Sequence, residues 1–330
     1  MPAHTLVPAA LALAGLAAAV ALASVTVAAH ACDVVRTRRR ARRAARWTPV
    51  LLDVIEGVRP PEAFHVGLRP AERADALHLL ATYAVRLRGE GRHRLCAAAE
   101  PLLPVALRDL SAASPGVRAR GVHTLGLLGG PSVVGAVVAA LDDPSQTVAL
   151  SAARALARRG DPDTIASVVA RVGRFDTVHP TVVASLLARF GLRAGPVLME
   201  VLPDRRASVA SRVAVVEALR RLSYVPSASL GARCLSEPGL DADLAAALLR
   251  LLLDVGETRH AAIVRQHARS DDEVVRLHAL SALARLGGSQ DDVLDLAFAI
   301  EDPNPWVALR AERGLREVGV DEAHPPVPAA

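Results

Sequence analysis

The sequence predicts an all-α protein built as a stack of helical hairpins, and three observations carry that prediction. A segment occurs twice: Asp143 to Gly160, DPSQTVALSAARALARRG, returns as Asp302 to Gly319, DPNPWVALRAERGLREVG. Asp143/Asp302, Pro144/Pro303, Val148/Val307, Ala149/Ala308, Leu150/Leu309, Ala152/Ala311, Leu156/Leu315 and Gly160/Gly319 coincide without a gap. Helix-stopping residues then recur at Gly129, Gly160, Gly191, Ser223, Gly256, Gly287 and Gly319, in steps of 31, 31, 32, 33, 31 and 32 residues. Finally, 52% of the chain is hydrophobic but only 2% is aromatic. The apolar mass is Ala, Leu and Val, and small side chains let helices approach closely. A fixed period of this length marks a solenoid, whose units bury their apolar faces only against their neighbours.

Taken in order, the first 32 residues contain no Arg, Lys, Asp or Glu. Leu6 to Cys32 as a helix would span ~40 Å, more than the ~30 Å hydrocarbon layer requires. Residues 33–46 then hold Arg36, Arg38, Arg39, Arg40, Arg42, Arg43 and Arg46 against one acid, Asp33. Removing these seven arginines and one acid from totals of 39 and 34 leaves 32 and 33, so the net charge of +5 belongs to this short run and the remainder is −1. A cleaved signal peptide is one reading, since Ala29-His30-Ala31 offers a small-x-small site. Its basic residues would follow the apolar core rather than precede it. Arginines placed there favour an uncleaved single-pass anchor in the inner (plasma) membrane, N-terminus outside and repeats cytoplasmic. The anchor is expected over 1–32, with Gly15 and Ala19 able to form a small-xxx-small contact. The arginine segment 33–46 is expected to meet anionic lipid. Nucleic acid, the competing partner, is not expected, because the run adjoins a membrane span and only Trp47 is nearby for stacking.

Residues 47–70 contain Pro49, Pro60, Pro61 and Pro70 and read as a linker, with a short helix at Val50 to Ile55. Residues 71–91 read as an amphipathic cap, with Ala76, Leu79, Leu80, Tyr83 and Leu87 on its apolar side; terminal repeats need a polar outer face. Residues 92–319 form the repeats, with Pro101 and Pro104 bending the first helix. Each later unit pairs a short helix, often opened by a proline (Pro131, Pro162, Pro196, Pro226), with a longer one that ends at the stop. Proline at the first helical position removes an N–H that has no intrahelical partner. Glycine at the stop suits a left-handed cap. The tail 320–330 carries three prolines and is expected to be disordered.

These units resemble HEAT and HEAT-like (PBS-lyase-type) repeats. Asp271, Val275, Arg276, Ala279, Leu283, Leu286 and Gly287 match that pattern most fully, and Val117-Arg118 repeats its Val-Arg pair. Val148-Ala149 and Val307-Ala308 lack the arginine, which implies an interrupted Asp–Arg ladder between repeats. The units around His179 and Ser211 are degenerate. The resemblance implies a right-handed α-solenoid of about seven hairpins that serves as a binding scaffold. The arrangement of anchor and repeats is also similar to bacterial membrane-anchored HEAT proteins that accompany membrane glycosyltransferases. Lysine is absent, every basic residue being arginine, and with abundant Ala, Gly and Pro this suggests a GC-rich bacterial genome.

No catalytic constellation, cofactor motif or small-molecule site is evident: there is no HExxH, Cys-x-x-Cys, phosphate-cradling glycine loop or G-x-S-x-G elbow. Cys32, Cys96 and Cys234 lack metal-ligand spacing and read as packed thiols in a reducing compartment. His260 and His267 stand two turns apart on one expected helix, too distant to share a metal. The acidic pairs Asp142-Asp143, Asp271-Asp272 and Asp291-Asp292 fall at turns, where Asp caps the next helix. Function is therefore expected to be that of an adaptor, binding a protein partner on a concave face lined by the second helices. Solvent-facing Arg118, Arg154, Arg158, Arg212, Arg276 and Arg310 are the candidate contacts, together with Trp306. This residue stands beside Pro305 where the repeated unit has a small residue; it is expected to pack over the open end of the solenoid, the alternative being that it anchors a partner. The alternatives are a lyase-like accessory acting on a membrane-bound substrate and, more remotely, a nucleic-acid-binding repeat protein.

Overall fold

A computed structural model describes residues 6–319, with side chains omitted for 6–19, 21, 28, 29, 32, 33 and 36. The tail 320–330 therefore lies outside the described residues. Every regular element among the described residues is helical. Two compact units are present among the described residues, one comprising 6–108 with 127–130, the other 109–126 with 131–319.

The first unit opens with α1 (Leu6–Glu56), an unbroken helix of 51 residues. Residues 47–56, expected to begin a linker, are instead its last turns. Trp47, Leu51 and Val54 recur at helical spacing and are buried, and this apolar stripe outweighs the breaking tendency of Pro49. Pro49 and Ala45 are both exposed, so the carbonyl that loses its N–H partner faces water rather than the core. Thr48 Oγ1 donates to Ala44 O at 2.8 Å one residue earlier. Among the described residues no single helix is long and apolar enough to cross a membrane; the expected span falls largely on side chains outside the description. The described apolar residues there, Val20, Leu22, Val25 and Val27, are all more than half exposed.

Helix α1 packs on α2 (Arg73–Ala84) and α3 (Gly89–Ala99), which also pack on each other. The expected cap is thus one member of a three-helix cluster. Its buried face is Ala76, Leu77, Leu80, Ala81 and Ala84, one residue round from the face expected, leaving Leu79, Tyr83 and Leu87 at the edge. A 3-10 turn at Glu100–Leu102 joins α3 to α4 (Leu103–Asp109), so the chain bends where Pro101 and Pro104 interrupt it.

The second unit contains most of α5 (Pro115–Leu128), then short and long helices in alternation. The shorter are α6 (Val134–Ala139), α8 (Pro162–Val169), α10 (Gly195–Val201), α12 (Ser227–Leu235), α14 (Ala261–Arg265) and α16 (Gln290–Phe298). Between them run α7 (Gln146–Arg159), α9 (Pro180–Ala188), α11 (Val209–Arg221), α13 (Ala242–Val255), α15 (Glu273–Leu286) and α17 (Pro305–Glu317). From α7 to α17 each odd-numbered helix packs on the next, the even-numbered helices form a second layer, and each hairpin joins the two. Helix α13, in mid-stack, buries nine of its 14 residues.

Local signals explain the element ends. Asp161, Ser208, Asp241, Asp272, Ser289 and Asn304 accept hydrogen bonds from the first backbone N–H groups of α8, α11, α13, α15, α16 and α17, filling donors that no carbonyl reaches. Gly160 ends α7 at φ +67°, and Gly191, Ser223 and Gly319 share that left-handed conformation. Gly129, Gly256 and Gly287 do not. The last two ends need glycine for room: a Cβ on Gly287 would stand 2.6 Å from Leu283 O and 2.9 Å from Asp292 Cβ. Space also governs Gly126, whose absent Cβ would lie 2.4 Å from Ala155 Cβ, so α5 and α7 touch almost backbone to backbone.

Candidate functional site

Four of the arginines expected to face solvent are committed inside the unit. Arg118 on α5 makes a two-pronged ion pair with Asp143 (Nε–Oδ2 2.8 Å, NH2–Oδ1 2.9 Å) and donates to Ala112 O and Ala113 O. Arg276 on α15 repeats this with Asp302 at 2.7 and 3.0 Å and with Ser270 O and Asp271 O. Each carboxylate also accepts from the backbone N–H two residues on, Ser145 or Asn304, which shapes the turn before the next long helix. These bonds from arginine hold both carboxyls below the usual carboxylate range. Buried Arg212 donates from Nε to Leu202 O and reaches Glu237 at 3.4 Å. The ladder is interrupted where Ala149 and Ala308 replace arginine. Arg310 is drawn in by Ser281 Oγ (2.8 Å) and Glu317 (3.1 Å). Arg118, Arg212 and Arg276 each find a backbone carbonyl and a carboxylate in neighbouring turns, so the guanidinium ties successive helices together, whereas Arg310 bonds Ser281 on α15 and Glu317 of its own helix.

A second network crosses three long helices. Glu217 on α11, 7% exposed, accepts from Arg220 Nε (3.0 Å) and from Arg250 Nε on α13 (2.8 Å). Arg220 also reaches Asp254 at 2.9 Å, and Arg250 NH1 meets His278 Nε2 on α15 at 3.1 Å. Burial alone would raise the Glu217 pKa, but the bonds from Arg220 and the charge of Arg250 hold it below its ordinary value. Burial first, then the Arg250 charge, depress His278 to about 4, so its ring is neutral and accepts from Arg250 at pH 7.

What remains outward is different. Arg154 and Arg158 on α7 are exposed, as expected. The last hairpin displays apolar groups instead: Trp306 is 70% exposed, Phe298 69%, Leu309 55% and Ile300 44%. Trp306 therefore does not pack over the end of the stack; its N–H is tied to Asn304 Oδ1 and its ring stands free of the core. Phe298, which sequence reasoning missed, borders an open groove of about 390 Å³ with Arg265, Gln266, Arg269, Asp291, Leu294 and Asp295. Arg269 lies 5.9 Å above the Phe298 ring while bonding Asp295 at 2.7 Å, and Arg265 binds Asp292 and Asp291. The groove's charges are thus paired with one another. A signal for Phe298 was present: it is one of four phenylalanines in the chain, at the C-terminal end of a short helix.

The arginine run on α1 is divided. Arg40 and Arg43 reach Asp75 at 3.1 and 2.5 Å, and Arg43 approaches Glu72 at 3.7 Å. Arg38, Arg39, Arg42 and Arg46 are exposed; the Arg36 side chain lies outside the described residues. Trp47 is buried and offers no stacking surface.

No group of three or more His, Cys, Asp or Glu able to hold a metal occurs among the described residues. Asp272 caps α15 directly (Val274 N and Val275 N, both 2.9 Å), whereas Asp292 sits inside a capping box with Ser289. His260 and His267 are not on one helix, because α14 ends at Arg265. His260 Nδ1 accepts from Glu257 N, and His267 Nε2 lies 3.2 Å from Leu235 O. Cys234 is buried, which pushes its thiol pKa up; Cys96 is half-buried.

Residues 99–186 match the family described as HEAT repeats. Among solved structures the chain is similar to the karyopherin Kap121p bound to the extreme C-terminus of the protein phosphatase Cdc14p (16% identity, TM-score 0.46, 80% of this chain and 35% of that chain). Kap121p bound to Pho4p gives the same values. An engineered protein aligns at 15% identity and TM-score 0.39, over 82% of this chain and 83% of its own. The chain thus spans about a third of the karyopherin's length. No curated protein matches it.

Proposed function

We propose that this chain is a membrane-anchored adaptor whose repeats hold a protein partner against the cytoplasmic face of a bacterial inner membrane. The apolar half of α1 is the anchor, and the N-terminus lies outside. Support for the anchor comes from Leu6 to Cys32, uncharged throughout, whose described apolar side chains find no protein core to enter. A helix apolar on all sides and uncovered by protein suits lipid.

The observation that carries the partner reading is the last hairpin. In a unit that folds Arg118, Arg212, Arg276 and Arg310 inward, Trp306, Phe298 and Leu309 stay in water. Exposed aromatic side chains of this kind are frequent binding hot spots. A membrane-embedded enzyme, such as a glycosyltransferase, is the partner class that the resemblance supplies. The exposed Arg154 and Arg158 on α7 form the competing surface.

A photo-crosslinking residue placed at Leu309 or at Arg154 of the full chain in cells separates the two. The expected result is one membrane protein trapped from Leu309 and lost when Trp306→Ala and Phe298→Ala are added. Trapping from Arg154 alone would move the site to α7. Trapping from neither would remove the adaptor reading.

A further inference from the structure

This inference rests on the membrane reading above and concerns how α1 meets the bilayer. Arg40, Arg43, Trp47, Leu51 and Val54 follow one another at spacings of three and four residues, so they share one face of the helix. On that face Trp47, Leu51 and Val54 enter the three-helix cluster. Arg40 and Arg43 continue it onto Asp75 and Glu72, whose side chains are only 16% and 10% exposed. Arg38 and Arg42 point the opposite way, with Arg39 and Arg46 at their flanks. None of these four has an ion-pair partner among the described residues. Nor does α1 carry an acidic residue between Asp33 and Asp53.

We propose that the arginine run is sorted by helix face. Arg40 and Arg43 fix the rotation of α1 on its own unit, and the outward row of Arg38, Arg39, Arg42 and Arg46 binds the phosphates of anionic lipid. The row begins six residues after Cys32, about 9 Å along the helix from the end of the apolar stretch. Arg38 and Arg39 are therefore delivered to headgroup depth, where they can hold phosphate oxygens in two-pronged fashion, while Arg42 and Arg46, about 15 and 21 Å from the same end, add their charge to the attraction from farther out. Nucleic acid fits less well. Single-strand binders add aromatic platforms to their basic groups, and the only aromatic beside this row is turned inward. The consequence is orientational: the side of α1 that faces lipid is set by the side clamped to Asp75.

The test uses the full chain in mild detergent and native mass spectrometry with added phosphatidylglycerol or phosphatidylcholine. The wild type should retain phosphatidylglycerol in preference. R38Q/R39Q/R42Q/R46Q should weaken that binding at least about ten-fold, whereas R40Q/R43Q should keep it and melt earlier. Unchanged phosphatidylglycerol binding by the fourfold variant would overturn the inference. So would a short DNA duplex that displaces the lipid from the same four arginines. Alkaline carbonate washing of membranes tells the two levels apart. A chain that washes off loses the anchor and this inference together, and one that resists washing while its fourfold variant binds lipid normally loses only the inference.

Discussion

The neutral histidine between α13 and α15 makes stability depend on pH in a calculable way. The folded protein holds His278 at about 4, against about 6.5 for a free imidazole. Between those values the unfolded chain binds a proton that the folded chain refuses, so stability is fully present above pH 6.5 and drains as pH falls toward 4. At pH 4.5 the two values imply a loss of about 2.5 kcal/mol from this side chain alone. Burial would raise Glu217, but the bonds from Arg220 and the charge of Arg250 hold it below its ordinary value, and it is present in both proteins compared. The informative variant is His278→Gln, whose amide oxygen can still accept from Arg250 but does not titrate. Thermal melts of the full chain in mild detergent, followed by far-UV circular dichroism at pH 7.0 and 4.5, give the comparison. With roughly 2–4 °C per kcal/mol for a domain of this size, the wild type should lose about 5–10 °C more than the variant. His65, His123, His260 and His267 are also depressed, burial being the first cause in each, and they remain in both proteins. Equal losses would refute the reasoning, because they would mean that His278 takes up its proton without disturbing Arg250 or the core.

Three further outcomes are expected. Gly126→Ala places a methyl group 2.4 Å from Ala155 Cβ and should cost about 1–3 kcal/mol, read as a lower melting temperature; Gly135→Ala, with nothing within 4 Å, should not. Asp272→Ala removes both cap bonds of α15 and should cost about 1 kcal/mol, with faster hydrogen exchange at Val274 and Val275. For the rung between α15 and the turn before α17, Asp302→Ala leaves Arg276 half-buried and should cost about 2 kcal/mol. A double-mutant cycle with Arg276→Met should show coupling between the two; additive losses would deny the pairing.

The alternation of short and long helices was legible because punctuation survives in sequence: Pro162 opening α8, Asp241 before α13, Gly160 after α7. The direction of the arginines was harder to read. A guanidinium on a helix surface looks the same in sequence whether it meets water or the carboxylate of the next turn. A usable signal does exist, since Arg118–Asp143 and Arg212–Glu237 are 25 residues apart and Arg276–Asp302 are 26 apart. That spacing is the repeat length less the distance from the turn to the arginine. Pro49 misled for another reason: proline predicts a break, yet its effect depends on whether the orphaned carbonyl faces water. For Trp306 the sequence showed an odd residue at a repeated position, and only the fold shows that none of the described residues covers it.

The length of α1 has a mechanical meaning. A peptide hinge between an apolar segment and a folded body lets the two swivel, so that torsion applied at one end dissipates. Here Leu6 to Glu56 is one hydrogen-bonded rod, gripped at Trp47, Leu51 and Val54. Twisting or sliding its apolar half would turn the gripped half as a crankshaft does, carrying α2 and α3 with it. Advancing the rod by a single residue would swing that face through about 100°. Such a protein would transmit the azimuth of its first helix, and inserting one alanine between Arg46 and Trp47 would turn the transmitted azimuth by about 100° while leaving both ends chemically intact.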